Sequence, residues 1–118
     1  MLLGKTDATD EEMREALYMS AADFVVKDFP DGLDTLVGEG GLGLSMGQAQ
    51  RIAIARSFFR HGNIILMDEP TSALDSETEK IFMTRLMKGI SNKTIIIVTH
   101  KDEVCKYASN TVHIKFLR

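Results

Sequence analysis

Residues 63–75 read NIILMDEPTSALD. Four apolar residues, Ile64, Ile65, Leu66 and Met67, run directly into two adjacent carboxylates, Asp68 and Glu69, and Pro70 stops any continuation of the strand. An unbroken apolar run of this length suits a strand buried on both faces, as in a parallel sheet under helices. In open α/β sheets, ligands bind just beyond the carboxyl ends of such strands. Two carboxylates there can meet a metal and a substrate; the plain alternative is a buried strand followed by an acidic turn.

Downstream, Ser76 and Glu79 have the spacing of a capping box, which predicts a helix over about residues 77–88 closed by Gly89. Phe82 pairs with Leu86 and Met83 with Met87 at i,i+4, and the methionines read as core filler. Residues 94–99, TIIIVT, form a second apolar strand. Strand, helix and strand at this spacing make a βαβ unit with parallel strands. The second strand therefore ends at His100 on the same sheet edge as Asp68 and Glu69. A short helix over residues 101–108 follows, with Cys105 packed inside. The alternation of Val112, Ile114 and Phe116 suits an edge strand over residues 111–116.

Upstream, residues 35–47 read TLVGEGGLGLSMG and hold five glycines. Such a stretch is either a flexible loop or a backbone shaped for close approach. Ser45 and Gln48 then form a capping box that opens a helix to about residue 60, ahead of Gly62. Free amides at the start of a capped helix favour an anion such as phosphate, although a capped helix after a glycine loop also arises without one. Thr9 and Glu12 open an earlier helix over residues 10–19, with Met13, Ala16, Leu17 and Ser20 on its buried face. Ser20 and Asp23 start a second short helix through residue 27, ended by the Pro30-Asp31-Gly32 turn. Gly4-Lys5-Thr6 imitates the end of a phosphate-binding loop, without the earlier glycine and strand that loop needs.

The chain has 118 residues, enough for one domain with a real core, and a net charge of −3. That balance gives no footprint for nucleic acid or an anionic membrane. One cysteine excludes an internal disulfide and suits a reducing compartment. No apolar run reaches the roughly 18 residues of a membrane span.

Taken in order, the glycine-rich loop with LSMGQ-x-Q-R, the strand with DEP, SALD, and the strand with TH resemble the nucleotide-binding domain of ATP-binding-cassette (ABC) transporters. The resemblance covers nearly the whole chain. Leu44–Gln48 matches the signature, usually LSGGQ, with Met46 at the first glycine of the pair. Residues 64–69 match Walker B and its glutamate, residues 72–75 the D-loop, and His100 the switch histidine. Residues 35–40, TLVGEG, resemble the loop that meets the transmembrane coupling helices in exporter-type members.

The resemblance implies an α/β fold: a partial P-loop NTPase core of parallel strands and crossover helices, with an α-helical subdomain at the N-terminal end. Residues 1–61 would be that subdomain with the signature, and residues 62–118 the C-terminal part of the core. It implies ATP and Mg²⁺ as cofactors. Asp68 would hold Mg²⁺ through its water shell, Glu69 would act as general base, and His100 would hold the γ-phosphate. Ser45, Gly47 and Gln48 would meet ATP held by a second nucleotide-binding domain, and Asp75 would couple the two sites. Transmembrane domains would be further partners, placing the chain at the cytoplasmic face of a membrane, with no nucleic acid expected.

The family's phosphate-binding loop, adenine-contacting aromatic and Q-loop glutamine have no counterpart among the 118 residues, so the chain alone should be inactive. Two other readings share the motifs. One is an ABC-type ATPase of DNA repair, which TLVGEG and the acidic balance disfavour. The other is a non-catalytic module that docks its signature helix on a complete ATPase.

Overall fold

Thr9 opens the first helix by accepting the Glu12 amide on its hydroxyl at 3.1 Å. The helix, α1 (Asp10–Met19), carries Asp10, Glu11 and Glu12 in its first turn, where negative charge suits the helix dipole. It buries Met13, Ala16 and Leu17. Its end turns on Ala21, whose φ of 57° is left-handed. The amide of Ala22 returns to the carbonyl of Leu17 at 2.6 Å and that of Ala21 to Tyr18 at 3.0 Å. This is the usual C-terminal lock of a helix, made here without glycine. Ser20 therefore closes α1, donating its buried hydroxyl to Leu17, and the short helix α2 (Phe24–Asp28) follows.

This computed structural model describes residues 9–28, 44–59, 62–90 and 92–115. The expectations for residues 4–6, 30–32, 35–40 and 116 lie outside the described residues. Helix α3 (Met46–Ser57) starts at Ser45 and ends earlier than the sequence suggests, with Phe58 and Phe59 in a turn. It buries Ile52 and Ala55 against Met13, Leu17 and Val25 of α1 and α2.

Strand β1 (Ile64–Asp68) pairs in parallel with β2 (Thr94–Val98), from Ile64 opposite Thr94 to Asp68 opposite Val98. Between them runs α4 (Ser76–Gly89), and α5 (Asp102–Cys105) follows β2. The α/β class and the parallel pair are as expected. The helix cap is corrected: Asp75, not Ser76, is the N-cap, its carboxylate accepting the Thr78 amide at 2.7 Å. Glu79 is drawn into a buried network instead, described below.

The expectation of a strand buried on both faces is also corrected. Ile65 and Met67 pack with Phe82, Met83, Leu86 and Val104, while Ile64 and Leu66 are 65% and 68% exposed. The reason is layering. The helices α4 and α5 cover one face of this two-stranded sheet, and side chains alternate between faces with a period of two. Met87 likewise faces outward, and Cys105 is only half-buried. Residues 111–115 form no strand, and Val112 and Ile114 are each 85% exposed. Alternation marks one side of a segment as apolar; it becomes a strand only where a sheet edge accepts its backbone bonds.

Burial sets the expected response to truncation. Phe82→Ala, at a fully buried centre, should cost about 3–5 kcal/mol of stability. Leu66→Ala, on the open face, should stay within roughly 0.5 kcal/mol of the parent. Paired urea melts of the two variants check this ordering.

Candidate functional site

The sheet delivers its chemistry at one edge. One residue past β1, the amide of Glu69 donates to the carbonyl of Val98 at 2.7 Å, so the ladder continues into the turn. Glu69 itself takes a left-handed backbone, φ 48°, a conformation that is uncommon for a residue with a side chain. The turn aims its carboxylate at the end of β2. There Oε1 accepts the His100 amide at 3.2 Å and lies 2.5 Å from His100 Nδ1, and Oε2 accepts the Thr99 hydroxyl at 3.4 Å. The structure thus brings together Glu69 and His100, 31 residues apart in sequence. His100 is otherwise open, its side chain 82% exposed.

Asp68 sits exposed at the last position of β1. One hard carboxylate oxygen donor at a strand end fits Mg²⁺, which keeps waters and takes further ligands from substrate phosphate.

The first turn of α3 carries the second group of candidate residues. Ser45 Oγ accepts the Gln48 amide at 3.1 Å, and Gln48 Oε1 accepts the Ser45 amide at 3.0 Å, a complete capping box. The box occupies two of the terminal donors. The amides of Met46 and Gly47 have no acceptor among the described residues, and the Met46 side chain is 80% exposed, directed into solvent. Gly47 has a steric reason within the chain to lack a side chain. A Cβ there would lie 2.9 Å from the carbonyl oxygen of Ala73 and 3.1 Å from Leu74. The signature turn is thus packed on the SALD segment, whose last residue, Asp75, starts α4. Its N-cap bond to the Thr78 amide holds the Asp75 carboxyl below the ordinary carboxylate range, with a smaller contribution from the Arg51 charge.

Four neighbours of these residues escaped the sequence reading as parts of the site. Gln50 Nε2 donates to the main-chain oxygen of Glu69 at 2.9 Å. Thr71, Glu79 and Lys101 form a network: the Thr71 hydroxyl donates to Glu79 Oε1 at 2.6 Å, and Lys101 Nζ donates to the same oxygen at 2.9 Å and to the Thr71 carbonyl at 2.8 Å. That network ties the start of the SALD segment to the residue after His100. The only sequence signal was adjacency: Lys101 follows His100, and Gln50 belongs to LSMGQ-x-Q-R.

Comparison with known proteins gives this geometry its context. Residues 5–72 match the family model described as ABC transporter. The chain belongs to the ABC transporter family. It is 42% identical over 98 residues to the mitochondrial potassium channel ATP-binding subunit of Xenopus tropicalis, covering 83% of the chain and 14% of that protein. To the glutathione/L-cysteine transport system ATP-binding/permease protein CydD of Haemophilus influenzae it is 43% identical over 108 residues, covering 90% of the chain and 18% of that protein. Its fold matches the structure of a bacterial Atm1-family ABC exporter with ATP bound, with a TM-score of 0.70 and 38% identity over 83% of this chain and 17% of that one. The fold is accordingly that of a P-loop NTPase, and this ABC transporter segment is of the exporter type. It spans less than a fifth of the length of each of these proteins.

The network around Glu79 titrates. Burial pushes this carboxyl up, but the Thr71 hydroxyl and the Lys101 ammonium outweigh it and leave the group below its ordinary value. A folded-state value below the unfolded one adds stability above the unfolded value, about pH 4.3 for a glutamate, and that stability is lost as pH falls through the folded value. Thermal melts from pH 6 to 3 should fall more steeply for the parent than for Glu79→Gln. Lys101→Met, which removes one donor from a buried carboxylate, should cost roughly 1–3 kcal/mol near pH 7.

Proposed function

We propose that this chain supplies two opposite parts of the paired ATP sites of an ABC exporter. The observation that carries the reading is the Glu69–His100 pair at the ends of two parallel strands. On the chain's own side, Glu69 is the general base. His100 and Thr99 engage its carboxylate, which offers about four acceptor positions, so room remains for the proton of an attacking water. His100 meets Glu69 through Nδ1 and leaves Nε2 for a γ-phosphate oxygen. Asp68 would hold Mg²⁺ brought in with ATP, through its water shell, and the ion would offset the phosphate charge.

On the other side, Ser45 and the amides at Met46 and Gly47 meet the γ-phosphate of ATP held by a second nucleotide-binding domain. Gln48 keeps that turn in shape through the capping box. Asp75 and the preceding SALD residues carry changes between the sites, a role supported by the packing of Ala73 on Gly47. In this reading residues 1–61 are the helical subdomain and residues 62–118 the C-terminal part of the core. The division is supported by two hydrophobic clusters, one around Leu17 and Ile52 and one around Phe82 and Leu86. Work done by ATP reaches transmembrane domains at the cytoplasmic face of a membrane. The exporter-type relatives favour transport over a role on DNA.

Most phosphate contacts in P-loop ATPases come from a glycine-rich loop and its lysine. The 118 residues alone, without that complete loop, therefore bind ATP weakly and do not turn it over. Calorimetric titration of Mg·ATP should show no binding up to millimolar concentration; tight binding would contradict this account of affinity. A second measurement reads the signature turn. Added to a complete exporter ATPase domain, the chain should change its turnover, and Ser45→Ala should weaken that change. An equal effect of both chains would remove Ser45 from the site.

A further inference from the structure

The backbone of Glu69 is held in a conformation it would not adopt unaided. A left-handed φ on a non-glycine residue is strained and persists where the surroundings over-determine it. Pro70 adds to the burden, because a residue before proline is driven toward extended backbone. The restraints at hand come mainly from the sheet and its own turn: the Glu69 amide on Val98, the Ser72 amide on the Glu69 carbonyl at 3.3 Å, and the contacts of the carboxylate with Thr99 and His100. One comes from elsewhere. Gln50, in the second turn of α3, donates Nε2–H to that same carbonyl at 2.9 Å.

The orientation of the Gln50 amide is fixed by chemistry. Reversed, its oxygen would face the Glu69 oxygen, with two acceptors in contact. Its own oxygen, Oε1, is buried with no partner among the described residues. A buried acceptor without a partner is costly, and the bond made by the Nε2 donor offsets that cost and holds the side chain inward. Gln50 also lies three residues after Gly47, on the same face of α3. That face touches Ala73 with one residue and Glu69 with the other.

We propose that Gln50 is a positioning residue: its side-chain amide ties the setting of the Glu69 carboxylate to the placement of α3. The proposal rests on the reading of Glu69 as the base. In that reading the first turn of α3 faces the nucleotide of the second domain, whereas Glu69 serves the nucleotide on its own side. A single side chain then connects the two ATP sites, and movement of α3 toward one nucleotide alters the base at the other.

The test is isotope-labelled NMR of the 118-residue chain, with parent, Gln50→Met and Gln50→Lys compared. Gln50→Met keeps length and volume and removes the donor, and Gln50→Lys restores one. In Gln50→Met the Glu69 Cα resonance should move toward the extended range and the His100 amide toward its unbonded position, with Phe82 and Leu86 unmoved. Gln50→Lys should return both signals toward the parent. A lower melting temperature with unchanged Glu69 and His100 signals would overturn the proposal, since it would make Gln50 a packing residue only. If Gln50→Met does not fold, the parent still decides: one Gln50 side-chain amide proton should exchange slowly, and solvent-rate exchange of both would overturn the proposal. None of these signals needs nucleotide, so their failure leaves the ATPase reading standing. Turnover that survives Glu69→Gln in an assembled ATPase would do the reverse.

Discussion

The amide of Glu69 donates to the carbonyl of Val98 at 2.7 Å, one step past the last paired residues of β1 and β2. That bond carries the order of the sheet into a turn that would otherwise be free to choose its conformation. From it follow the left-handed backbone of Glu69, the direction of its carboxylate and its meeting with His100. Parallel pairing is what makes this possible, because it brings the ends of both strands to one edge, and the crossover through α4 supplies the parallel direction.

The surroundings of the turn act on it from separate sides. The Thr71–Glu79–Lys101 network anchors the chain just after Pro70 to α4 and to the end of β2. Helix α3 presses Gly47 on Ala73 and reaches the Glu69 carbonyl through Gln50. A further clamp joins the helical part to α4: Arg85 bonds Asp23 at 2.9 Å and the Tyr18 carbonyl at 3.0 Å, and lies over the Tyr18 ring. These contacts make the strand ends and the signature turn one mechanical unit within the chain. Under the reading proposed above, the parts this unit joins would face different nucleotides.

Much of this was legible in the sequence, for identifiable reasons. The capping box of Ser45 and Gln48 is a local pattern with a local geometry, and the structure reproduces it. The apolar runs ending at Asp68 and Val98 give parallel strands, and parallel strands give the Glu69–His100 meeting. What escaped depends on distant partners. Asp75 and Ser76 are both good N-caps, and the choice between them is made by where the turn from Pro70 delivers the chain. Ala21 adopts a left-handed lock with no glycine to announce it. Gln50 looks like any polar helix residue until Glu69 lies beside it. Ile64 and Leu66 are as apolar as Ile65 and Met67, and only the one-sided helix layer separates them.

The central claim is that Glu69, held this way, is the base of an ATP site. The most direct measurement is single-turnover hydrolysis by an ATPase assembled from this chain and a polypeptide supplying the phosphate-binding loop, with Glu69 intact and as Glu69→Gln. The expected result is a rate about 10²–10⁴-fold lower in the variant, the range typical of a lost general base, with ATP affinity preserved. Equal rates in the two proteins would contradict the account.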